Sequence, residues 1–372
     1  MIIGVPKEIK NHEYRVGLVP SSVKELVQLG HTVYVETNAG AGIDLTDTEF
    51  EAAGAKILPS ASALFSKSEM IVKVKEPLAQ ERALLTPEHV LFTYLHLAPD
   101  LLQTEDLIKS QATCIAYETV TDKNGGLPLL APMSEVAGRM SIQAGAMALE
   151  KSWGGRGLLL AGVPGVAPAN VVIIGGGKVG QNALKIAVGM GANVTILDKN
   201  INVLAALDQH YGNTITTLYS NAENLQQCVL AADLVVTAVL LPGAAAPKLI
   251  TRAMLKQMKT GSVIVDVAID QGGCCETSRP TSHEDPIFII DEVVHYCVAN
   301  MPGAVARTAT FALNHATLPY VIKLASLGVK QAMAQDAGLL AGLNVYQGQL
   351  TNQGVAISQN KPWIAPKEVL NL

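Results

Sequence analysis

The stretch Val171-Val172-Ile173-Ile174-Gly175-Gly176-Gly177-Lys178-Val179-Gly180, followed through to Leu197-Asp198, decides the fold. Its β-branched start, Val171 to Ile174, reads as a buried parallel strand running straight into Gly175-x-Gly177-x-x-Gly180. Apolar residues at helical spacing follow (Val179, Ala183, Leu184, Ala187, Val188), and a second strand, Val194 to Leu197, ends on Asp198. Strand, glycine turn, helix, strand and acid together make one βαβ unit with a dinucleotide fingerprint. Gly175 permits the tight turn and Gly177 lets backbone approach a pyrophosphate. Gly180 lets the helix pack close to the sheet, so that its first N–H groups face the phosphates. Asp198 lies 21 residues after Gly177 (198 − 177), where a carboxylate can accept from both ribose hydroxyls. A bare G-x-G-x-x-G recurs by chance, as an ordinary turn, in a chain with 32 glycines; the flanking strands and the terminal acid make this one specific.

At 372 residues the chain is long enough for two domains with substantial cores. A hydrophobic share of 49%, a charged share of 16% and a net charge of −5, with no basic run, argue against nucleic-acid or membrane-surface partners. Cys114, Cys228, Cys274, Cys275 and Cys297 form an odd set without metal-ligand spacing, which reads as reduced thiols and no metal. The start, Met1 to Lys7, is a strand rather than a signal peptide. The most apolar window, Leu158 to Gly177, is broken by Pro164, Pro168 and several glycines, so no membrane span is expected. These features predict a cytoplasmic protein.

Both halves alternate strands and helices. Candidate strands are Ile2–Val5, Thr32–Glu36, Met70–Lys73, Val90–Tyr94 and Thr113–Ala116, with Ser22-x-x-Glu25 and Pro99-Asp100 as helix starts. The polar turn Asp122 to Pro128 marks a domain boundary, and Ser134 to Lys151 reads as a connecting helix. After Asp198 the spacing predicts helices at Ile201–His210, Ala222–Leu230 and Met254–Met258. Strands are predicted at Thr214–Leu218, Leu234–Ala238, Ser262–Val267 and Val293–Cys297. From Arg307 a long helical pattern runs on, kinked or broken at Pro319, and returns to the first domain. The expected fold is α/β: two Rossmann-like, doubly wound domains with a cleft between them. One is discontinuous, residues 1–128 plus 306–372; the other spans 129–305.

Open α/β sheets place ligands at the carboxyl ends of their strands. Arg15, Lys75 and His96 stand at such ends in the first half, and Asp270 in the second. A guanidinium fork and an ammonium suit a small carboxylate. A histidine titrating near neutrality suits proton transfer during hydride transfer, and a facing aspartate can act on water or ammonia. The plain alternative for each is a solvated charge or a structural histidine.

Several motifs then carry a family resemblance. They are Met1 to Lys10, Val74-Lys75-Glu76-Pro77, Leu91 to Leu97, Pro132 to Arg139, Leu160 to Val166, Val265 to Gly273 and His295 to Val305. With these the chain resembles the alanine dehydrogenases, relatives of the NAD-binding part of proton-translocating transhydrogenases. The resemblance implies reversible, NAD-dependent oxidative deamination of L-alanine to pyruvate and ammonia, in a homo-oligomer that is typically a hexamer. It implies that residues 129–305 bind NAD and that the discontinuous domain holds the substrate. Arg15 and Lys75 then hold the substrate carboxylate, His96 is the general acid/base, and Asp270 orients or activates water or ammonia. The implied cofactor shell is Ser134, Gly175, Gly177, Lys178, Val179, Gly180, Asp198, Ser220, Val239, Leu240, Val267, Ala268, Ile269, Asp270, Arg279, Val298, Ala299, Asn300 and Met301. Two positions depart from the family pattern: Val203 replaces a common arginine or lysine five residues after the acid, and Ala306 a common proline. The alternative readings are a soluble transhydrogenase-related subunit and a non-catalytic NAD-binding protein. The intact set of Arg15, Lys75 and His96 counts against both.

Overall fold

The structure, a computed structural model, describes residues 1–239 and 246–372. It divides into two compact units, Met1–Met133 with Val305–Leu372, and Ser134–Ala304.

The first unit holds β1 (Ile2–Val5), β2 (Thr32–Glu36), β3 (Lys56–Leu58), β4 (Met70–Val72), β5 (Val90–Thr93) and β6 (Thr113–Ala116). The second holds β7 (Asn170–Ile174), β8 (Asn193–Asp198), β9 (Ile215–Tyr219), β10 (Leu234–Thr237), β11 (Val263–Asp266), β12 (Ile287–Ile290) and β13 (Val293–Tyr296). The chain then adds β14 (Leu343–Tyr346) and β15 (Gln349–Leu350) to the first sheet. Counted over the described residues, the first sheet runs β15-β14-β6-β5-β4-β1-β2-β3 and the second β12-β13-β11-β10-β7-β8-β9. Each is parallel except at one edge, where β14 lies antiparallel to β6 and β15, and β12 antiparallel to β13.

Both sheets therefore wind outward in two directions from a central strand. In the first, β2 and β3 lie on one side of β1, and β4, β5 and β6 on the other. In the second, β8 and β9 lie on one side of β7, and β10 and β11 on the other. Each has a topological switch point, between β1 and β4 and between β7 and β10, where ligands of doubly wound sheets bind.

The fingerprint strand shows why the sequence folds this way. Val171 and Ile173 enter one buried cluster while Val172 and Ile174 enter the other, as period-two alternation requires of a strand covered on both faces. The helix Lys178–Gly189 buries Gly180, Ala183, Leu184 and Ala187, a single 3.6-period stripe. Each large apolar side chain so buried contributes roughly 1.5–3 kcal/mol.

Four expectations are corrected. The first helix, Pro20–Gln28, starts before the Ser22 signal, because Pro20 supplies the preset first-turn φ; Ser22 is buried and donates to Asn314 Oδ1 at 2.8 Å. The connecting helix is Ala131–Ala148, beginning three residues before Ser134. Of the kink or break expected at Pro319, the break does not occur: one helix, Ala306–Leu327, runs through it. Strands β3, β12, β14 and β15 have no counterpart in the sequence reading; all are short, β3, β12 and β15 are edge strands, and β14 lies one place in, between β15 and β6. Among the described residues, no helix is long and apolar enough to cross a membrane.

Candidate active site

In the first unit, polar residues converge at the carboxyl ends of β4, β5 and β6, next to the switch point. Lys75 follows β4, and its backbone is pinned from both sides. Its N–H donates to Glu8 Oε1 at 3.3 Å, and its carbonyl accepts from Thr93 Oγ1 at 2.9 Å. The adjacent Val74 N–H donates to the same Glu8 oxygen at 2.7 Å. Glu8 is itself held by Lys73, a fully buried ammonium 3.1 Å from Glu8 Oε2 and 2.6 Å from Glu81 Oε1. Burial pulls the Lys73 pKa down, but the two carboxylates outweigh it and raise it, so the ammonium stays charged.

His96 follows β5 with φ +48°, a left-handed conformation that costs a non-glycine residue free energy unless its surroundings impose it. Glu118, just after β6, imposes it: its carboxylate accepts the His96 N–H at 2.6 Å and the Leu95 N–H at 3.2 Å. The imidazole stacks on Tyr94 with centroids 5.6 Å apart, and the Tyr94 hydroxyl donates to Leu129 O at 2.6 Å.

Glu76 connects the two cations. Its Oε2 lies 3.6 Å from His96 Nδ1 and 3.9 Å from Lys75 Nζ, and its Oε1 pairs with Lys10. Both Oε2 distances are too long for a hydrogen bond, and that buried oxygen has no hydrogen-bond partner among the described residues. Burial pushes the Glu76 pKa up, but His96, Lys75 and Lys10 outweigh it and hold the carboxyl well below the usual range. For His96 burial favours the neutral ring; the Glu76 and Glu118 carboxylates outweigh burial and the opposing Lys75 charge, raising the pKa. The His96 side chain is 45% exposed although protein surrounds it densely, so solvent screens these interactions.

Arg15, 2% exposed, forms a bidentate pair with Glu13: Nε to Oε1 at 2.7 Å and Nη2 to Oε2 at 2.6 Å, with Nη1 3.1 Å from Met133 Sδ. Glu13 thereby orients a guanidinium fork of five N–H groups, of which this pair uses two. The positive charge of Lys75 also acts on Glu13, which places Arg15 and Lys75 in one field.

In the second unit, Gly175 to Gly180, Asp198, Ser220, Val239, Val267 to Asp270 and Val298 to Met301 follow the carboxyl ends of the parallel strands, while Ser134 lies in the helix Ala131–Ala148 and Arg279 in the segment before β12. Gly175 has φ +104° and donates to Leu197 O at 2.7 Å, tying the turn to β8. A Cβ on Gly180 would overlap the Gly175 carbonyl oxygen, so only glycine lets the helix sit this close. A Cβ on Gly177 would meet nothing within 4 Å, and the helix beginning at Lys178 presents its first N–H groups beside that open backbone. Asp198 Oδ2 accepts the Gly176 N–H at 2.6 Å and Oδ1 the Asn200 N–H at 2.7 Å. Asn200, not Asp198, caps the helix Ile201–Tyr211. Ser220 N–H donates to Asp198 O at 2.9 Å. Val239 follows β10, while Leu240 lies outside the described residues. Val267–Gln271 is one 3-10 turn after β11 and carries an exposed Asp270. Val298, Ala299, Asn300 and Met301 follow β13; Asn300 has φ +58°, and Met301 is buried in the unit's core. Arg279 packs its guanidinium over the Phe288 ring at 4.2 Å. Ser134 is the first residue of this unit.

The five cysteines are free. Burial pushes the Cys274 and Cys297 thiols up to about 12 and raises Cys275, so at neutral pH they are protonated and unreactive. Among the described residues, no group of three or more His, Cys, Asp or Glu side chains could hold a metal.

The family profile described as "Alanine dehydrogenase/PNT, N-terminal domain" matches residues 4–137, and "Alanine dehydrogenase/PNT, C-terminal domain" matches residues 141–353. The chain belongs to the alanine dehydrogenase/PNT family. It is 59% identical to an alanine dehydrogenase of Halomonas elongata over 96% of each chain, and 55% identical to one of Methanococcus maripaludis over 100% of each. A solved L-alanine dehydrogenase superposes with a TM-score of 0.94 at 54% identity, covering 97% of this chain and 99% of that one. A transhydrogenase from Sinorhizobium meliloti matches at TM-score 0.81 and 23% identity, covering 95% and 99%, which shows a shared fold.

Set beside this family's pattern, Val203 packs against the turn. A Cβ on Gly176 would lie 2.7 Å from its Cγ1, so this apolar side chain lies against the glycine turn. Ala306 begins the helix Ala306–Leu327 and is 8% exposed, a packing position. The sequence reading missed Glu8, Glu13, Glu76 and Glu118, the carboxylates that hold Lys75, Arg15 and His96. Glu13 and Glu76 stand next to or two residues from a predicted site cation, the one local signal available.

Proposed function

We propose that this chain catalyses the reversible oxidative deamination of L-alanine with NAD, giving pyruvate, ammonia and NADH. In this reading the discontinuous unit, near residues 1–128 with 306–372, handles the substrate, and the region near 129–305 binds the nucleotide. The observation that carries it is the cluster Lys75–Glu76–His96 next to the switch point of the first sheet, with Glu76 Oε2 at 3.9 Å from Lys75 Nζ and 3.6 Å from His96 Nδ1.

The nucleotide fits the second unit. The open backbone at Gly177 and the N-terminus of the helix Lys178–Gly189 suit a pyrophosphate, and each Asp198 oxygen accepts one bond while retaining a lone pair for a ribose hydroxyl. Bound NAD supplies the hydride acceptor. Arg15 and Lys75 bind the alanine carboxylate, the first as a pre-oriented fork and the second as a point charge. The Glu76 carboxylate beside Nδ1 keeps a proton there, which leaves His96 Nε2 as the atom that takes a proton from the added oxygen and returns one to departing ammonia. Asp270 orients the water, or in reverse the ammonia. Ser134, Ser220, Val239, Leu240, Arg279 and the backbone of Val267–Asp270 and Val298–Met301 complete the nucleotide shell.

A cytoplasmic homohexamer is part of the proposal and rests on the family resemblance; sedimentation of the purified protein checks the assembly. The function is tested by adding L-alanine and NAD to the purified chain alone. Alanine-dependent NADH formation supports the reading. Hydride exchange between nucleotides without any alanine reaction would replace it with the transhydrogenase-type alternative.

A further inference from the structure

We infer that Asp266 and Lys248 are positioning residues that clamp the loop behind Asp270, an inference resting on the dehydrogenase reading above. Asp266 ends β11 and is fully buried. Its Oδ1 accepts from Thr237 Oγ1 at 2.6 Å. Its Oδ2 accepts from Cys274 N–H at 2.8 Å, Cys275 N–H at 3.2 Å and Ser278 Oγ at 2.5 Å. Lys248 takes the same loop from its carbonyl side. Its Nζ donates to the oxygens of Gly272, Gly273 and Cys275 at 2.5, 2.9 and 3.2 Å, which uses all three ammonium protons. The two remaining carbonyls are also taken: Gln271 O by Ala246 N–H at 2.9 Å, and Cys274 O by Leu249 and Ile250 N–H at 2.8 and 3.1 Å.

Every carbonyl from Gln271 to Cys275 thus has a partner, and an anion and a cation hold the loop from opposite sides. The clamp reaches Asp270 directly. Gly272 N–H closes on Ile269 O at 2.9 Å and Gly273 N–H on Ala268 O at 3.0 Å, so the 3-10 turn bearing Asp270 is fastened to the clamped residues. The geometry also restricts position 273 to glycine: it has φ +77°, and a Cβ there would lie 2.6 Å from Asp266 Oδ2. Asp270 is exposed, and the turn that carries it is fastened to the clamped residues, so its direction depends on this clamp.

The test uses the full chain with Lys248→Met, Lys248→Arg, Asp266→Asn, Asp270→Asn and the double variant Lys248→Met/Asp270→Asn. A misplacement of about 1 Å costs up to about 100-fold in turnover. Lys248→Met should therefore lower kcat about tenfold with the pyruvate KM unchanged, and Lys248→Arg should recover most of the loss. Amide deuterium exchange at Gly272 to Cys275 should quicken in Lys248→Met. The double variant should be no slower than Asp270→Asn alone. Asp266→Asn should behave as Lys248→Met but more severely; should it not fold, the Lys248 set decides. An unchanged kcat in Lys248→Met, unchanged exchange, or the same loss on the Asp270→Asn background would overturn the inference. A wild-type chain that does not oxidise alanine, or an Asp270→Asn variant with full activity, would instead sink the functional reading, while the exchange measurement still reports on the clamp.

Discussion

Replacing Glu76 by glutamine removes one negative charge between His96 and Lys75 while keeping the side chain's shape. At the 3.6 Å separation from His96 Nδ1, Coulomb's law gives about 5 kcal/mol at an effective dielectric of 20 and about 1 kcal/mol in bulk water. The ring is nearly half exposed, so the lower end applies, and about 1.4 kcal/mol corresponds to about one pKa unit. The sign follows from the direction of the shift. Glu76 contributes to the raised pKa of His96, so the variant's histidine loses its proton at lower pH. Alanine oxidation needs the neutral ring as base, and the limb of kcat/KM that rises with pH should move about one unit toward acid. NADH affinity, read by fluorescence titration, should stay within about twofold, well under 1 kcal/mol. His96→Ala provides the control: it should abolish that limb and lower turnover by about 10²–10⁴-fold. An unmoved limb, or one shifted toward alkali, would refute the role given to Glu76. Stability offers a second check. The folded pKa of Glu76 is depressed, so its contribution is present above the ordinary value near 4.5 and fades as pH falls below it. The variant should therefore melt lower than wild type at neutral pH, and the gap should close in acid.

Lys75→Ala should weaken pyruvate binding by about tenfold or more, as loss of a charge-assisted contact does, and leave NADH binding almost unchanged; equal loss of NADH affinity in titration would move Lys75 out of the substrate site. Gly180→Ala must separate the helix Lys178–Gly189 from the Gly175 turn, so NADH affinity should fall at least tenfold and the melting temperature should drop; unchanged affinity would show that the turn does not bind the pyrophosphate. Asp198 should repel a 2′-phosphate and make NAD preferred over NADP by roughly 10²-fold or more. Asp198→Gly with Val203→Arg should shift that ratio toward NADP, and an unchanged ratio would mean that Asp198 serves only the Gly176 and Asn200 amides.

The nucleotide half was legible because its signals are local. Val171 to Asp198 contains strand, glycine turn, helix and acid within 28 residues (198 − 171 + 1), each with its own chemical reason. Strands at or next to the sheet edges were less legible: Lys56–Leu58 and Gln349–Leu350 are too short to show a period, and β14 pairs with β6 across more than two hundred residues. Ser22 misled because a capping pair looks the same whether it starts a helix or lies buried within one, and Pro20 decided between them. At the substrate site, Lys75 and His96 could be picked out as chemistry at strand ends, each three residues past its strand, whereas Arg15 lies ten residues past β1, in the long segment before the helix Pro20–Gln28. Their partners could not be picked out. Glu118 meets the His96 backbone from the neighbouring strand's exit, and Glu8 meets Lys75 across 67 residues, so these carboxylates acquire meaning only once the sheet is assembled.

The most direct test of the central claim follows the hydrogen itself. L-Alanine carrying deuterium at Cα is incubated with NAD and the purified chain, and the products are analysed by mass spectrometry. The account predicts one deuterium in each NADH formed, with pyruvate and ammonia appearing in equal amounts, and no transfer in the His96→Ala variant on the same time scale. Pyruvate formed without label in NADH, or NADH formed without ammonia, would contradict it.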